Sequence, residues 1–394
     1  MDMVTTILVC ILSAMAASLS SAGGVGGGSL YLPILDLVGG LDLKTATALS
    51  AFMVAGGSLS NVLCNNLLLL NGSSIDYDIA LLSQPCMLLG VGAGVVCNVV
   101  FPEWLVTALF ALFLGLSTVK TFQAGFVCWN AESDGVVRVH APAGGKGVEE
   151  ALLMEEEEGG AGYETPWAKL AVLMLIWLCF FVLHVLNGDK DGKIITRVRP
   201  CGLKYWLITS SQVPIAIGFT AYILYRRRRN RHNKPDQQKV GKDTVVYNTI
   251  EALPVVVFPM AALLSGVLGG LFGIGGGLLI NPVLLQIGVP PQVTAATTSF
   301  MVLFSSSMSM VQYLILGMKD IKQALVFSAV CFVASIVGLV AIQRAIVKSG
   351  RVSLIVFSVS AVMALSAVSI TCFGAVDVWR KYIDGKNMGF KLPC

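Results

Sequence analysis

A glycine-rich segment occurs twice in this chain, and it limits the available folds more than any other feature. Shifted by 249 positions, GGVGGGSLYLPILDLVGGLDLKTATALS in the first half lies without a gap on FGIGGGLLINPVLLQIGVPPQVTAATTS in the second. Gly24, Gly26, Gly27, Gly28, Leu30, Pro33, Leu35, Gly39, Thr45, Ala46 and Ser50 meet identical residues, among them Gly273, Gly275, Gly276, Gly277, Pro282 and Ser299. A gapless match of glycines, proline and threonine marks two copies of one structural unit.

Three adjacent glycines weaken a helix by about 1 kcal/mol each relative to alanine and accept positive φ, so a helix breaks there. Each cluster is followed by an apolar piece of only about ten residues, 29–38 and 278–287, which is half a bilayer. These pieces are expected to be half-helices starting at Ser29 and Leu278, with Pro33 and Pro282 freeing further carbonyls. The N–H groups of such a break must be satisfied by protein, water or ligand. The positive end of the helix dipole then suits an anion. Close packing alone accounts for the GxxxG pairs Gly24/Gly28, Gly273/Gly277 and Gly90/Gly94. It does not require a glycine triplet, a half-length piece and a proline in both copies.

The rest of the chain places these units in a membrane. Hydrophobic residues make up 55% and charged residues 13%, half the charge of an ordinary soluble domain, and mean hydropathy is +0.78. Ten apolar runs approach the roughly 20 residues of a span: 4–22, 46–70, 79–101, 103–119, 167–187, 204–225, 253–272, 294–316, 321–343 and 351–373. The sequence therefore predicts an all-α integral membrane protein of about ten transmembrane helices in two repeats, each opening with a glycine-broken helix and a half-helix. Residues 1–125 form repeat A, 126–166 an acidic polar loop with Glu155 to Glu158, and 167–225 two linking helices. A basic, cytoplasmic loop follows at 226–252, repeat B at 253–373 and a tail at 374–394. The run 4–22 has no preceding Lys or Arg and matches the segment before the second glycine cluster, so it is read as a retained helix and not as a signal peptide.

Orientation follows from counting Lys and Arg. One full span plus a re-entrant half in each unit divides them 18 to 9 and makes the repeats parallel; a hairpin that never crosses divides them 15 to 12 and makes them inverted. The count favours the parallel arrangement.

These segments resemble the sulfite exporter TauE/SafE family, in its plant-type form, on SSAGGVGGGSLYLPIL, LDLKTATALSAFMVAGGSLSNV, GGLFGIGGGLLINPVLLQIG, TAATTSFMVLFSSS and MGFKLPC. The resemblance covers nearly all of the chain outside the acidic loop. It implies export or uptake of sulfite, sulfonates or other small organic anions.

Polar residues within spans supply candidate ligands. Ser50 and Asn61 lie in the second span, Ser299 and Ser307 in its counterpart, and Asn281 beside Pro282. With Gly24, Gly26, Gly27, Gly28, Ser29, Gly273, Gly275, Gly276 and Gly277 they form the expected substrate site. No Lys or Arg lies deep in a span, so amides, hydroxyls and dipoles would hold the anion. Asp36, whose counterpart is Leu285, is the candidate for coupling, against a plain interfacial role; His184 is read as packed or interfacial.

The expected partners are a small anionic solute and the lipid bilayer, not nucleic acid, with a homo-oligomer left open. Ten cysteines without a CxxC pair read as apolar filler. No metal or cofactor is implied: neither cluster meets the phosphate-loop or dinucleotide patterns, no HExxH occurs, and the three histidines stand apart. The reading is a secondary transporter or facilitator and not an enzyme. A membrane scaffold or anion sensor acting through its soluble loops is the competing one.

Overall fold

The computed structural model describes residues 3–21, 24, 27–68, 75–133, 166–187, 203–232, 257–287, 289–318, 320–349 and 353–383. Every regular element among them is helical. In chain order these are α1 (Met3–Ser21), α2 (Gly28–Pro33, continued as a π-helical turn over Ile34–Val38), α3 (Leu43–Leu68), α4 (Tyr77–Val100), α5 (Glu103–Ser133) and α6 (Pro166–Asn187). Then follow α7 (Leu203–His232), α8 (Val257–Phe272), α9 (Gly277–Gln286), α10 (Pro291–Ile315), α11 (Ile321–Ser349) and α12 (Ser353–Ile383). Nine of these are long and apolar enough to cross a membrane; the segments Gly28–Val38 and Phe258–Phe272 are shorter. The chain is a multi-pass integral membrane protein.

Several helices run past the boundaries read from hydropathy. α5 continues through 126–133, α7 carries Arg226 to Arg229 as helix, and α12 extends to Ile383. Hydropathy sees only the hydrocarbon core, whereas a helix of 31 residues such as α5 is roughly 46 Å long and overshoots it. The rest of the acidic loop and of the tail lies outside the described residues.

The 249-residue shift extends well beyond the motif. It carries the bounds of α5 to 352–382, against Ser353–Ile383 for α12, and those of α3 to 292–317, against Pro291–Ile315 for α10. The contacts between repeats are reciprocal: α4 packs on α8 as α11 packs on α1, α5 on α12, α3 on α10, and α2 on α12 as α9 on α5.

Registers along these contacts fix the directions. α5 and α12 are equivalent and run antiparallel, because Thr107 meets Gly374, the Thr121 hydroxyl faces Met363 Sδ at 3.7 Å, and Gly125 meets Phe357. α4 and α8 run parallel. Gly266 sits on the Met87 carbonyl, Gly90 on Leu263 and Val267, Gly270 on Val91, and Asn98 Nδ2 donates to the Leu271 carbonyl at 2.7 Å. This close approach is what small residues at four-residue spacing permit between membrane helices. The second repeat is thus the first turned over, and the repeats are inverted. The Lys and Arg count favoured the parallel arrangement and is overruled by these registers.

A consequence concerns the broken units. α8 runs with α4, so its inverted equivalent α1 runs against α4 and with α3; α2 must therefore bring the chain back. Each glycine-broken unit is a hairpin that does not cross. The N-terminal end of α1 and the C-terminal end of α12 then lie on one face, and the C-terminal ends of α5 and α7 on the other.

α6 and α7 both pack on α4. α6 runs parallel to it, with Lys169 Nζ 2.8 Å from Asp78 Oδ2 and His184 against Gly92; α7 runs antiparallel, with Thr220 at Cys86 and Gln212 at Gly92. They cover α4, whereas its equivalent α11 presents Leu325, Val326, Val333 and Val337 outward to lipid. α1 does likewise with Ile7, Ile11, Met15 and Leu19, one residue per turn.

Candidate functional site

Both half-helices start where the glycines require. Gly27 (φ 79°) caps α2 and Gly276 (φ 73°) caps α9, each left-handed, so each half-helix begins one residue before the expected Ser29 and Leu278. Gly24, Gly273 and Gly275 are also left-handed, at φ of 70°, 66° and 74°, a conformation that costs a residue with a side chain about 1–3 kcal/mol. Gly26 lies outside the described residues.

The two breaks meet each other. A Cβ on Gly28 would come within 2.7 Å of Ile274 Cα and 2.8 Å of Val54 Cγ2. Each break also presses on the long helix of the opposite repeat: Gly24 on Ala295 and Thr298 of α10, and Gly273 on Thr47 of α3. Gly275 faces Val302 and Val54. Two broken hairpins and two long helices therefore share one buried point.

Their polar side chains are used differently. Around the second break four hydroxyls donate to backbone carbonyls of the interruption. Tyr313 Oη donates to Gly270 O at 2.9 Å, Ser305 Oγ to Gly275 O at 2.6 Å, Ser265 Oγ to Gly276 O, and Ser50 Oγ crosses from α3 to Gly273 O at 3.0 Å. Around the first break the Ser21 carbonyl accepts from Asn61 Nδ2 at 3.1 Å, the equivalent of the Tyr313 bond. Yet Ser13 Oγ, Ser29 Oγ, Tyr31 Oη, Ser60 Oγ and Asn61 Oδ1 are buried without a hydrogen-bond partner. Tyr31 Oη lies over Gly27 beside Ser20 Oγ and faces the Cys331 thiol outside hydrogen-bond geometry.

Of the remaining expected residues, Ser299 is buried beside Thr298. Asn281 is buried and lines a small groove with Thr121, Leu285, Pro291, Ala295, Val356 and Val359. Ser307 is not at the break: its hydroxyl accepts from Trp177 Nε1 at 3.1 Å and donates to the Phe304 carbonyl, so it anchors α6 to α10. Asp36 falls in the π-turn and is partly exposed. That turn follows Pro33, which removes a backbone donor; Gly39 N–H bonds back to Ile34 O at 3.1 Å. The same proline in α9 leaves an ordinary α-helix.

Tyr31, Ser13, Ser265 and Tyr313 were not singled out by the polar inventory of spans. The signal that finds them is the mismatch between copies. At a shift of 249, Ser13, Ser29, Tyr31 and Asn61 face Ala262, Leu278, Ile280 and Met310. A further polar group lies away from the breaks, where His184 Nε2 is 3.1 Å from Gln312 Nε2, Gln212 neighbours His184 across Gly92, and Gln84 of α4 is buried with both amide atoms unpartnered. His184 is thus packed, as one of its two readings had it. Among the described residues no group of three metal-ligating side chains occurs.

Comparison with known proteins agrees with this architecture. The family model of the sulfite exporter TauE/SafE matches residues 3–147 and 205–370. Two Arabidopsis thaliana proteins, sulfite exporter TauE/SafE family proteins 5 and 2, are each 50% identical, over 98% and 99% of this chain and 87% and 88% of their own lengths. A probable membrane transporter protein of Bacillus subtilis, YunE, is 44% identical over 57 residues, 14% of this chain and 21% of its own. No solved structure matches. Two glycine-broken hairpins in inverted repeats, together with a family match spanning both, establish that the chain belongs to the sulfite exporter TauE/SafE family.

Proposed function

We propose that this protein is a secondary transporter or facilitator that moves a small anion, sulfite, a sulfonate or a related organic anion, across its membrane, with the site where the two breaks meet. The observation that carries this reading is the contact of Gly28 with Ile274, which brings two interrupted hairpins of inverted repeats to one point. Inverted repeats that meet at broken helices supply what alternating access needs: one arrangement of the hairpins opens the site to one face, and its mirror opens it to the other. The amides that open α2 and α9, those of Gly28, Ser29, Gly277 and Leu278, lie at this region, while Leu30 and Leu279 bond back to the Gly27 and Gly276 carbonyls. No Lys or Arg side chain takes their place, which suits a solute that must leave as readily as it binds. The family name and the transporter name of the Bacillus relative support the class of activity, and the family name suggests the sulfur oxyanion.

The arginines Arg226 to Arg229 at the end of α7 put that face, and the C-terminal end of α5, in the cytoplasm under the positive-inside bias. The hairpin arrangement gives this face 15 of the 27 basic residues.

Reconstitution into liposomes, with tracer flux or current recorded on adding sulfite, sulfonates and sulfate, tests the reading. Saturable flux of at least one anion is expected. Binding without flux of any of them sinks it in favour of a sensor.

A further inference from the structure

The buried atoms without partners all lie outside the second repeat. Among the described residues all eight belong to α1, α2, α3, α4 or α7, and none to the second repeat. Three of them border the first break: Ser29 Oγ in the first turn of α2, Tyr31 Oη over Gly27, and Asn61 Oδ1, whose amide partner is the Ser21 carbonyl. Leaving a buried hydroxyl or amide unpaired costs about 1–3 kcal/mol per group, so three together mark a place built for something else to complete.

The chemistry of that place is asymmetric. Ser29 and Tyr31 offer hydroxyls that either donate or accept. Asn61 is different, because its amide orientation is fixed: Nδ2 must face the Ser21 carbonyl, which only accepts. Oδ1 is therefore a buried acceptor, which a donor satisfies and a bare oxyanion oxygen does not. Titratable groups on the packed elements are Tyr31 itself, the thiols Cys10, Cys64 and Cys331, and Asp36 further along α2. Lys44 is engaged at the Val99 carbonyl, while Lys322 and Arg344 are exposed on α11. Among the described residues no cation stands at the first break to offset a second negative charge, whose desolvation cost rises steeply in such surroundings.

We infer that the first break alone binds the transported solute, and that it selects a singly charged oxyanion bearing its own hydrogen-bond donor over a dianion or a donor-free monoanion. In that pose hydroxyls of Ser29 and Tyr31 donate to the anion's oxygens, and the anion's hydrogen is accepted by Asn61 Oδ1. The second break, where Leu278, Ile280 and Met310 replace these groups, is the structural counterpart that rocks without binding. This rests on the transporter reading for its flux, but not for its binding.

The test compares hydrogen sulfite, supplied below its second ionisation, with methanesulfonate, which has the same charge and a methyl group in place of the donor. Purified wild-type protein should carry hydrogen sulfite on the order of tenfold faster at subsaturating concentration, the value of one hydrogen bond to a charged group. Ser29→Ala and Tyr31→Phe should each slow hydrogen sulfite by a similar factor without lowering thermal stability. Asn61→Met should erase the preference between the two anions. Equal rates for the two anions in the wild type, or unchanged rates in Ser29→Ala and Tyr31→Phe, overturn the inference while leaving the transporter reading intact. If the wild type moves neither anion, the transporter reading falls. The inference then stands only if hydrogen sulfite raises the melting temperature of wild type and not of Ser29→Ala, and it falls without such a shift.

Discussion

The two breaks have nearly the same backbone and opposite side-chain economies. In the second, Ser265, Ser305 and Tyr313 close the carbonyls of Gly276, Gly275 and Gly270, and Ser50 reaches across the repeat boundary to Gly273. In the first, one such bond is made, from Asn61 to Ser21, and the hydroxyls of Ser29 and Tyr31 are left buried and idle. Gene duplication followed by divergence would begin with two identical sites; here one copy has its carbonyls closed by protein hydroxyls and the other keeps buried polar atoms without partners. The surrounding helices follow the same division. α6 and α7 brace α4 and so the α4–α8 side, whereas α1 and α11, which hold the first break, face lipid with no further layer. What this difference teaches is that symmetry in an inverted repeat belongs to the backbone, while binding need not be shared.

The comparison can be broken most directly at the glycines. Gly27→Leu and Gly276→Leu each force a side chain into left-handed φ, at about 1–3 kcal/mol, and add overpacking of about 1–3 kcal/mol. The new Cβ atoms meet Tyr31 and Ser20 in one case and Met87 and Ser265 in the other. Both variants should lose flux completely, checked by tracer uptake in liposomes. Monodisperse Gly27→Leu protein with wild-type flux would show that the first break has no functional role.

A smaller effect separates structural from binding hydroxyls. Ser305→Ala strands the Gly275 carbonyl in a buried setting, so stability should fall by about 1–3 kcal/mol, visible as a lower melting temperature in detergent. Ser29→Ala removes a hydroxyl that bonds to nothing, and its melting temperature should stay level or rise. Equal destabilisation by the two substitutions would erase the distinction between the breaks. At the bottom of the scale, Lys169→Ala removes a partly exposed ion pair with Asp78 and should cost about 0.2–1 kcal/mol, measured by the same melting assay.

Much of this architecture could be read in the residues themselves. The glycine triplets, the half-length pieces and the 249-residue offset gave the broken helices to within one residue, because three glycines and a proline leave a membrane helix no alternative. Orientation was not legible. Counting Lys and Arg sets a crossing unit, 18 to 9, against a hairpin, 15 to 12, and both splits obey the same bias; whether α1 crosses depends on how α2 packs, which only the registers of α5 on α12 and α4 on α8 determine. Site residues were legible in part. Identity between copies picks out what both breaks need, namely Gly24, Gly27, Gly28 and their partners, and it overlooks what only one break uses. Tyr31 and Ser29 stand out by being unlike Ile280 and Leu278. Ser307 shows the converse: a serine in the right span, but on the face turned to Trp177.

The central claim is that an anion crosses where Gly28 of one repeat meets Ile274 of the other. Gly28 has ordinary helical φ, so Gly28→Val inserts bulk at the contact without left-handed strain. Sulfite-driven current in planar bilayers or liposomes, compared between wild type and Gly28→Val at equal amounts of monodisperse protein, tests the claim. The account predicts saturable current in the wild type and none above background in the variant. Wild-type current that persists undiminished in Gly28→Val would place the pathway elsewhere and contradict it.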